Sequence, residues 1–489
     1  MTPQPIRFGI MNMEIISLPF VYFLAAALGV YHLLPRRGQN IWLLLCSLYF
    51  AASWRWEFAV ILGSSILINY LIARRIAAGI LHKKAWLWAG IGLNTAGLLF
   101  FRFAATGYID LILRVLSGGT SLSTKILLPI GFSFYTLQAI AYLVEVYQKQ
   151  ISPEHDLVDF GLFLAYFPHL ISGPIERGKN LLPQIKQNRL VGNNELAEGG
   201  WLILTGLFRK LVIAGTLVTL LPEGIFARPM EFAASDRWIA ILIYGIWLYN
   251  DFAGYTGLVR GISLLFGIRL SPNFKQPFFA HNMLDFWNRW HMSLSFWLRD
   301  YIFFPIQRFL IRRGFSAGKP ARIILPPLVT MLVSGIWHNA TLALLAWGAL
   351  HSLYQMADHL ISQKPGFISP KKQPRWKQIL FSLRVYCLLL PTWMLFAAGS
   401  LKLAAGFCLS LFTGGGTTRF RLLELVFPMA ALMVSFFLDA FQEKHGEERT
   451  VFSFPRPVQS VVVGLGILCV VLSILWSNIP SAAFVYQGF

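Results

Sequence analysis

The sequence predicts an all-α polytopic membrane protein, with about 11 to 13 spanning helices joined by re-entrant and interfacial ones. Three observations carry that reading. Of 489 residues, 56% are hydrophobic and 13% charged, where soluble domains carry about 25% charged residues. Apolar stretches recur along the whole chain. The excess of 42 Lys and Arg over 22 Asp and Glu, a net charge of +20, gathers in polar loops between those stretches, as topology-setting residues facing anionic lipid do. A water-soluble globule is excluded. The charge calls for a lipid bilayer rather than a nucleic-acid partner.

The candidate segments lie near 14–33, 41–54, 57–72, 85–103, 107–117, 126–147, 158–172, 201–221, 237–250, 255–267, 323–337, 341–360, 378–398, 402–413, 422–439 and 457–477. A span needs about 20 mainly apolar residues, so the shorter segments are expected to be tilted, half-buried or re-entrant, with backbone satisfied by protein or a wet cavity. The first, Ile15 to Leu34, follows Arg7 and carries Ala25-Ala26-Ala27 like a cleavage site. More apolar segments follow it, so it reads as a retained helix. If 41–54 and 57–72 pair, Arg36-Arg37, Arg74-Arg75 and Lys83-Lys84 share one side, which the positive-inside bias makes cytoplasmic.

Two stretches interrupt the hydropathy pattern. Residues 148–200 carry Glu154, Asp156, Glu176, Arg177 and Lys186 among four prolines, which reads as turns and amphipathic helices at the cytoplasmic interface. Residues 269–322 alternate charges with Phe278-Phe279, Phe286-Trp287, Trp290, Phe296-Trp297 and Phe303-Phe304, suiting a segment at membrane depth but inside protein. The basic loop Gln363 to Lys377 reads as a second cytoplasmic connection. The expected organisation is one membrane-embedded domain over 1–489, with a motif core at 125–360 and C-terminal helices at 378–489. No inverted repeat is visible. Cys46, Cys387, Cys408 and Cys469 lie too far apart to suggest a metal or disulfide framework.

An ionisable residue in an apolar segment is a functional candidate by default. His32, His82, His155 and His445 adjoin polar loops, and His169 and His281 read as hydrogen-bonded turn residues. His351 and His359 lie in or at the end of a helix, where a neighbour is expected to satisfy them. His338 stands at the end of the apolar run Leu332 to Trp337, beside a helix break at Asn339-Ala340. Two readings remain open there, a catalytic base and an interfacial hydrogen-bonded histidine. His291 has the same two, since Arg289, Arg299 and Asp300 also suit a structural ion-pair network. Imidazole takes and returns a proton near neutrality, so two of them in one cavity suit acyl transfer onto a hydroxyl. No His-Glu-x-x-His, cysteine pair, Gly-x-Ser-x-Gly elbow or phosphate loop is present, so the spacing supplies no metal site, serine hydrolase or ATP-driven pump.

In order, the blocks Pro129-Ile130-Gly131-Phe132-Ser133-Phe134-Tyr135-Thr136, Phe167-Pro168-His169-Leu170-Ile171-Ser172-Gly173-Pro174-Ile175, Tyr249-Asn250-Asp251-Phe252-Ala253-Gly254-Tyr255, Asn273-Phe274-Lys275-Gln276-Pro277-Phe278, Phe286-Trp287-Asn288-Arg289-Trp290-His291-Met292-Ser293-Leu294-Ser295 and Gly335-Ile336-Trp337-His338-Asn339-Ala340 resemble the membrane-bound O-acyltransferases. The likeness is strongest to the bacterial branch that acetylates alginate and peptidoglycan. The resemblance implies helices ringed around a funnel, with His338 as principal active-site histidine and His291 as the second catalytic position. Asp251, Asn288 and Arg289 would line the cavity, and their motif neighbours Trp287, Ser293, Trp337 and Asn339 are further candidate substrate-binding positions. Arg289 would favour an anionic donor group.

The resemblance implies a short acyl group, acetyl from acetyl-CoA, carried from the cytoplasm across the bacterial cytoplasmic membrane toward a cell-envelope or exported glycan. A separate periplasmic or extracellular acetyltransferase is an expected partner, and no permanently bound cofactor or metal is expected. His338 would serve as general base or hold a transient acyl group. Asn339 stands where alginate-type members have glycine, and Phe484-Val485-Tyr486-Gln487-Gly488-Phe489 only partly matches their aromatic ending. The rivals are D-alanyl transfer from a carrier protein to teichoic acid, and a proton-coupled transporter.

Overall fold

A computed structural model of the chain describes residues 13–79, 82–105, 127–316, 318–420, 422–446, 448 and 450–476. The candidate segment 107–117 and the aromatic C-terminal ending lie outside the described residues. Among the described residues the chain is helical, and the one extended pairing is an isolated bridge between Phe232 and Thr417. The helices are α1 (Leu18–Tyr31), α2 (Arg36–Trp54), α3 (Trp56–Ala78), α4 (Lys83–Ala105), α5 (Phe132–Tyr147), α6 (Leu157–Ala165), α7 (Phe167–Leu170), α8 (Gly178–Lys186), α9 (Asn193–Leu207) and α10 (Ala234–Leu264). They continue with α11 (Met283–Trp287), α12 (Met292–Leu298), α13 (Phe304–Arg312), α14 (Pro320–His338), α15 (Leu342–Ser362), α16 (Arg375–Ala398), α17 (Leu401–Ser410), α18 (Val426–His445) and α19 (Arg456–Trp476). Short π-helices occupy Phe208–Ala214 and Arg299–Phe303.

Seven described helical stretches are long and apolar enough to cross a membrane: α3, α4, α14, α16, α18, α19 and Asn193–Leu220, which joins α9 to the first π-helix. α2, α10 and α15 reach spanning length without an equally apolar, charge-poor stretch. The chain is a multi-pass membrane protein. Exposed Leu, Ile, Val and Phe side chains along α18 and α19 are the surface that lipid covers.

Several boundaries differ from the sequence reading for local reasons. The expected short pair 41–54 and 57–72 is two full helices of 19 and 23 residues, because their polar ends at Arg36-Arg37 and Arg74-Arg75 are helical too. The segments 237–250 and 255–267 are one helix of 31 residues. It runs through Asn250-Asp251 because cations on the first π-helix pair with that step. The segment 158–172 breaks into α6 and α7, with Pro168 in the first turn of the second, where its missing N–H costs nothing.

The chain divides into two compact units, Met1–Gly199 with Val259–Ser271, and Gly200–Leu258 with Pro272–Phe489; the divisions fall within α9, within α10 and in the segment after α10. In the first unit Phe20, Phe50, Phe160, Phe163, Phe167 and Phe266 are fully buried. Asn40 donates to Asp159 (2.8 Å) and to the Ile185 carbonyl (3.1 Å), tying α2 to α6 and α8. Glu176 is buried and accepts from the Ser271 N–H (2.6 Å) and hydroxyl (3.1 Å). Burial pushes its carboxyl up to about 7.

In the second unit α9 and α10 cross on glycine. A Cβ at Gly206 would stand 2.7 Å from the Gly254 carbonyl oxygen, a small-residue approach typical of membrane helices. The pair α14 and α15 meets in the same way at Gly335 and Gly348.

Candidate active site

The second unit holds both histidines singled out in the sequence. The segment before α12 is stapled to itself by backbone. Asn273 accepts from the Met292 N–H through its carbonyl (2.8 Å) and from the Ser293 N–H through its side chain (3.2 Å), while Lys275 N–H donates to the Arg289 carbonyl (2.9 Å). These bonds force a sharp reversal ahead of α12. His291 takes it in a left-handed conformation, φ 43° and ψ 53°, which non-glycine residues seldom adopt. Its side chain is 1% exposed, with the ring edge-on to Phe252 at 4.9 Å and 6.0 Å from Trp337.

His338 is the last residue of α14, 4% exposed. Asn339 ends the helix in extended backbone, its N–H donating to the Gly335 carbonyl (3.1 Å) and its carbonyl accepting from Thr341 (2.7 Å). Thr341 then caps α15 by accepting from the Leu344 N–H. This short connection brings α15 straight back along α14, so Trp347 faces His338 at 5.5 Å. Trp337 at 4.8 Å and Phe396 of α16 at 5.3 Å complete the wall. His291 and His338 thus share one ring neighbour, Trp337.

Trp347 also contacts His351, one turn further along α15, at 4.6 Å, and His351 contacts Trp287 at 5.0 Å. Sequence reasoning expected a neighbour to satisfy His351. Its neighbours are aromatic rings, and among the described residues its buried Nδ1 has no hydrogen-bond partner, nor has the buried Nε1 of Trp287. His169 does find one, with Nε2 3.2 Å from Gln138 Oε1.

The other predicted positions disperse around this centre. Asp251 pairs with Lys210 of the first π-helix. Arg289 donates through Nε to Asp285 (3.1 Å) and through Nη1 and Nη2 to both oxygens of Glu443 (2.7 and 3.0 Å). Its guanidinium is therefore held between two carboxylates. Asn288 lines a separate cavity of about 200 Å³ with His281, Asn282, Asp285, Ser369 and Lys371. Ser293 is buried in the first turn of α12, and Asn339 is half-buried.

Trp347 and Phe396 were missed, because aromatics within apolar helices read as packing. Asp439, Gln442 and Glu443 of α18 were missed too, although acidic groups near an apolar run were the available signal. Among the described residues no group of three or more His, Cys, Asp and Glu side chains is placed to hold a metal ion.

Buried imidazoles walled by aromatics, with paired charges nearby, thus stand inside a multi-pass membrane unit, a setting suited to proton transfer away from water. Residues 109–394 match the family described as MBOAT, the membrane-bound O-acyltransferase family. The chain belongs to that family, and it is an O-acyltransferase. It is 34% identical over 389 residues to the probable alginate O-acetylase AlgI of Pseudomonas aeruginosa, covering 78% of this chain and 71% of the relative. It is 31% identical over 416 residues to the peptidoglycan O-acetyltransferase of Helicobacter pylori, covering 78% and 75%. Similarity to the teichoic acid D-alanyltransferase of Streptococcus thermophilus, 31% over 229 residues, reaches only 46% of this chain and 55% of that one.

Proposed function

We propose that the chain moves an acetyl group from cytoplasmic acetyl-CoA, through the bacterial cytoplasmic membrane, toward O-acetylation of a cell-envelope or exported polysaccharide. A periplasmic or extracellular acetyltransferase is the partner that completes the transfer. The observation that carries the reading is His338, buried at the end of α14 in an aromatic enclosure and sharing Trp337 with His291. The similarity to alginate and peptidoglycan O-acetylating enzymes over about three quarters of each chain supports the substrate class.

His338 acts as the general base. As the acceptor hydroxyl oxygen adds to the thioester carbon, its proton passes to the His338 imidazole and the carbonyl pair moves onto oxygen. When the carbonyl re-forms, the carbon–sulfur bond breaks and the departing thiolate takes the proton back, leaving an ester and free thiol. His291 orients the site across Trp337. The aromatic wall excludes water, which protects the thioester from hydrolysis and strengthens each electrostatic contact. No resident cofactor or metal enters the scheme.

His338→Ala tests the proposal. In a strain lacking the wild-type protein, the variant should insert at normal abundance and restore no alkali-labile acetate to the envelope glycans. Full acetylation by a correctly inserted variant would overturn it.

A further inference from the structure

α18 lies beyond the 109–394 family match, and its inward face is polar in a helix otherwise apolar enough to cross a membrane. Ser435, Asp439, Gln442 and Glu443 recur at the spacing of one helical stripe. Each meets a motif residue or its partner. Ser435 Oγ accepts from Asn250 (2.9 Å), and Asp439 pairs with Arg209 and accepts from the Tyr249 hydroxyl (3.1 Å). Gln442 accepts from Gln276 (3.1 Å), and Glu443 receives both Nη groups of Arg289. Charges at membrane depth are expensive unless paired and commonly functional.

From this stripe we infer that Glu443 is a positioning residue for His291. The inference rests on the acyl-transfer reading above. Arg289 stands two residues before His291, and its carbonyl is one of the bonds that shape the left-handed turn. Fixing the guanidinium from α18 fixes that carbonyl, and with it the direction in which the imidazole enters the site. A bidentate carboxylate matches the planar guanidinium fork and sets orientation as well as distance. Asp285 still binds Arg289 when Glu443 is neutralised, so the segment keeps one charge partner and the fold survives. What is lost is the second anchor. Misplacing a group in an active site by about 1 Å costs on the order of a hundredfold in rate.

The test uses the full chain, purified in nanodiscs together with its partner acetyltransferase, with acetyl-CoA and isolated envelope glycan, reading CoA thiol release. Glu443→Gln should lower kcat about 10- to 100-fold with KM held within about twofold, since the ring is displaced while substrate contacts remain. Glu443→Asp keeps the charge on a shorter arm and should recover part of that loss. Lys444→Gln, the exposed neighbour, should match wild type. The double variant Arg289→Gln/Glu443→Gln should be no slower than Arg289→Gln alone, because the two side chains act through one contact.

Wild-type kcat in Glu443→Gln beside an inactive His338→Ala would overturn the positioning role and leave the proposed function standing. Wild-type kcat in His338→Ala would overturn the proposed function instead. If Glu443→Gln fails to elute as a single folded species, Arg289→Lys decides, since it keeps the charge but loses the bidentate fork, and wild-type kcat there rejects the role.

Discussion

Replacing Gly335 with alanine tests whether the close crossing of α14 and α15 is what places His338. A Cβ at position 335 would stand 2.3 Å from the Leu344 carbonyl oxygen and 3.0 Å from its carbon. Carbon–oxygen approaches between helices are ordinarily about 3.3–3.6 Å, so the two backbones must part by about 1 Å. Gly348 makes the reciprocal contact, its Cβ position lying 2.4 Å from the Met331 carbonyl oxygen, so the strain cannot be shed by sliding α15 along α14. Overpacking of this kind costs about 1–3 kcal/mol in stability. The catalytic effect is of the same order. His338 is three residues from Gly335 and Trp347 three from Leu344, so the parting opens the aromatic wall itself, for which roughly a hundredfold loss of rate is expected. The assay pairs kcat from thiol release with the melting temperature in detergent, for Gly335→Ala, Gly348→Ala and Gly92→Ala, the last having nothing within 4 Å of its Cβ position. Gly92→Ala should behave as wild type. Undiminished kcat and melting temperature in Gly335→Ala would refute the reasoning.

Asp439→Asn leaves the buried Arg209 guanidinium without its carboxylate, and a stability loss of about 3–5 kcal/mol is expected, read as a drop in folded yield and melting temperature; an unchanged melting temperature would contradict it. Glu176 gives a pH prediction. Its raised carboxyl pKa means that the folded state holds the proton more tightly than the unfolded chain, so its stabilisation is complete below about 4.5 and is lost as pH rises through about 7. Glu176→Gln should therefore flatten the melting temperature against pH between about 4.5 and 7, and a profile parallel to wild type would show that the carboxyl does not titrate there.

The fold class was legible because composition reports the solvent directly, and helices in lipid must satisfy their own backbone. His338 stands out in the sequence for a local reason, at the end of an apolar run beside a helix break, whereas His291 stands out through the block that resembles the acyltransferases. What escaped was everything set by distant pairing. Asn250-Asp251 looked like an interruption between two helices, since nothing nearby in the chain announces that Arg209 and Lys210 come to meet it. Arg289 looked free to greet an anionic donor, because Glu443 lies 154 residues away. Trp347 and Phe396 carry no signal of their own; only the turn at Asn339–Thr341 and the return of α16 make them walls of a site.

The left-handed backbone at His291 joins the shape of the turn and the imidazole in one residue, and that governs how its role can be read by mutagenesis. An ordinary side chain held there costs about 1–2 kcal/mol, so alanine removes the imidazole and leaves the turn strained, while a β-branched replacement would fight the turn outright. Asparagine tolerates the conformation best after glycine. The contrast between His291→Asn and His291→Ala therefore separates a missing imidazole from a collapsed loop, a distinction that alanine scanning alone would blur.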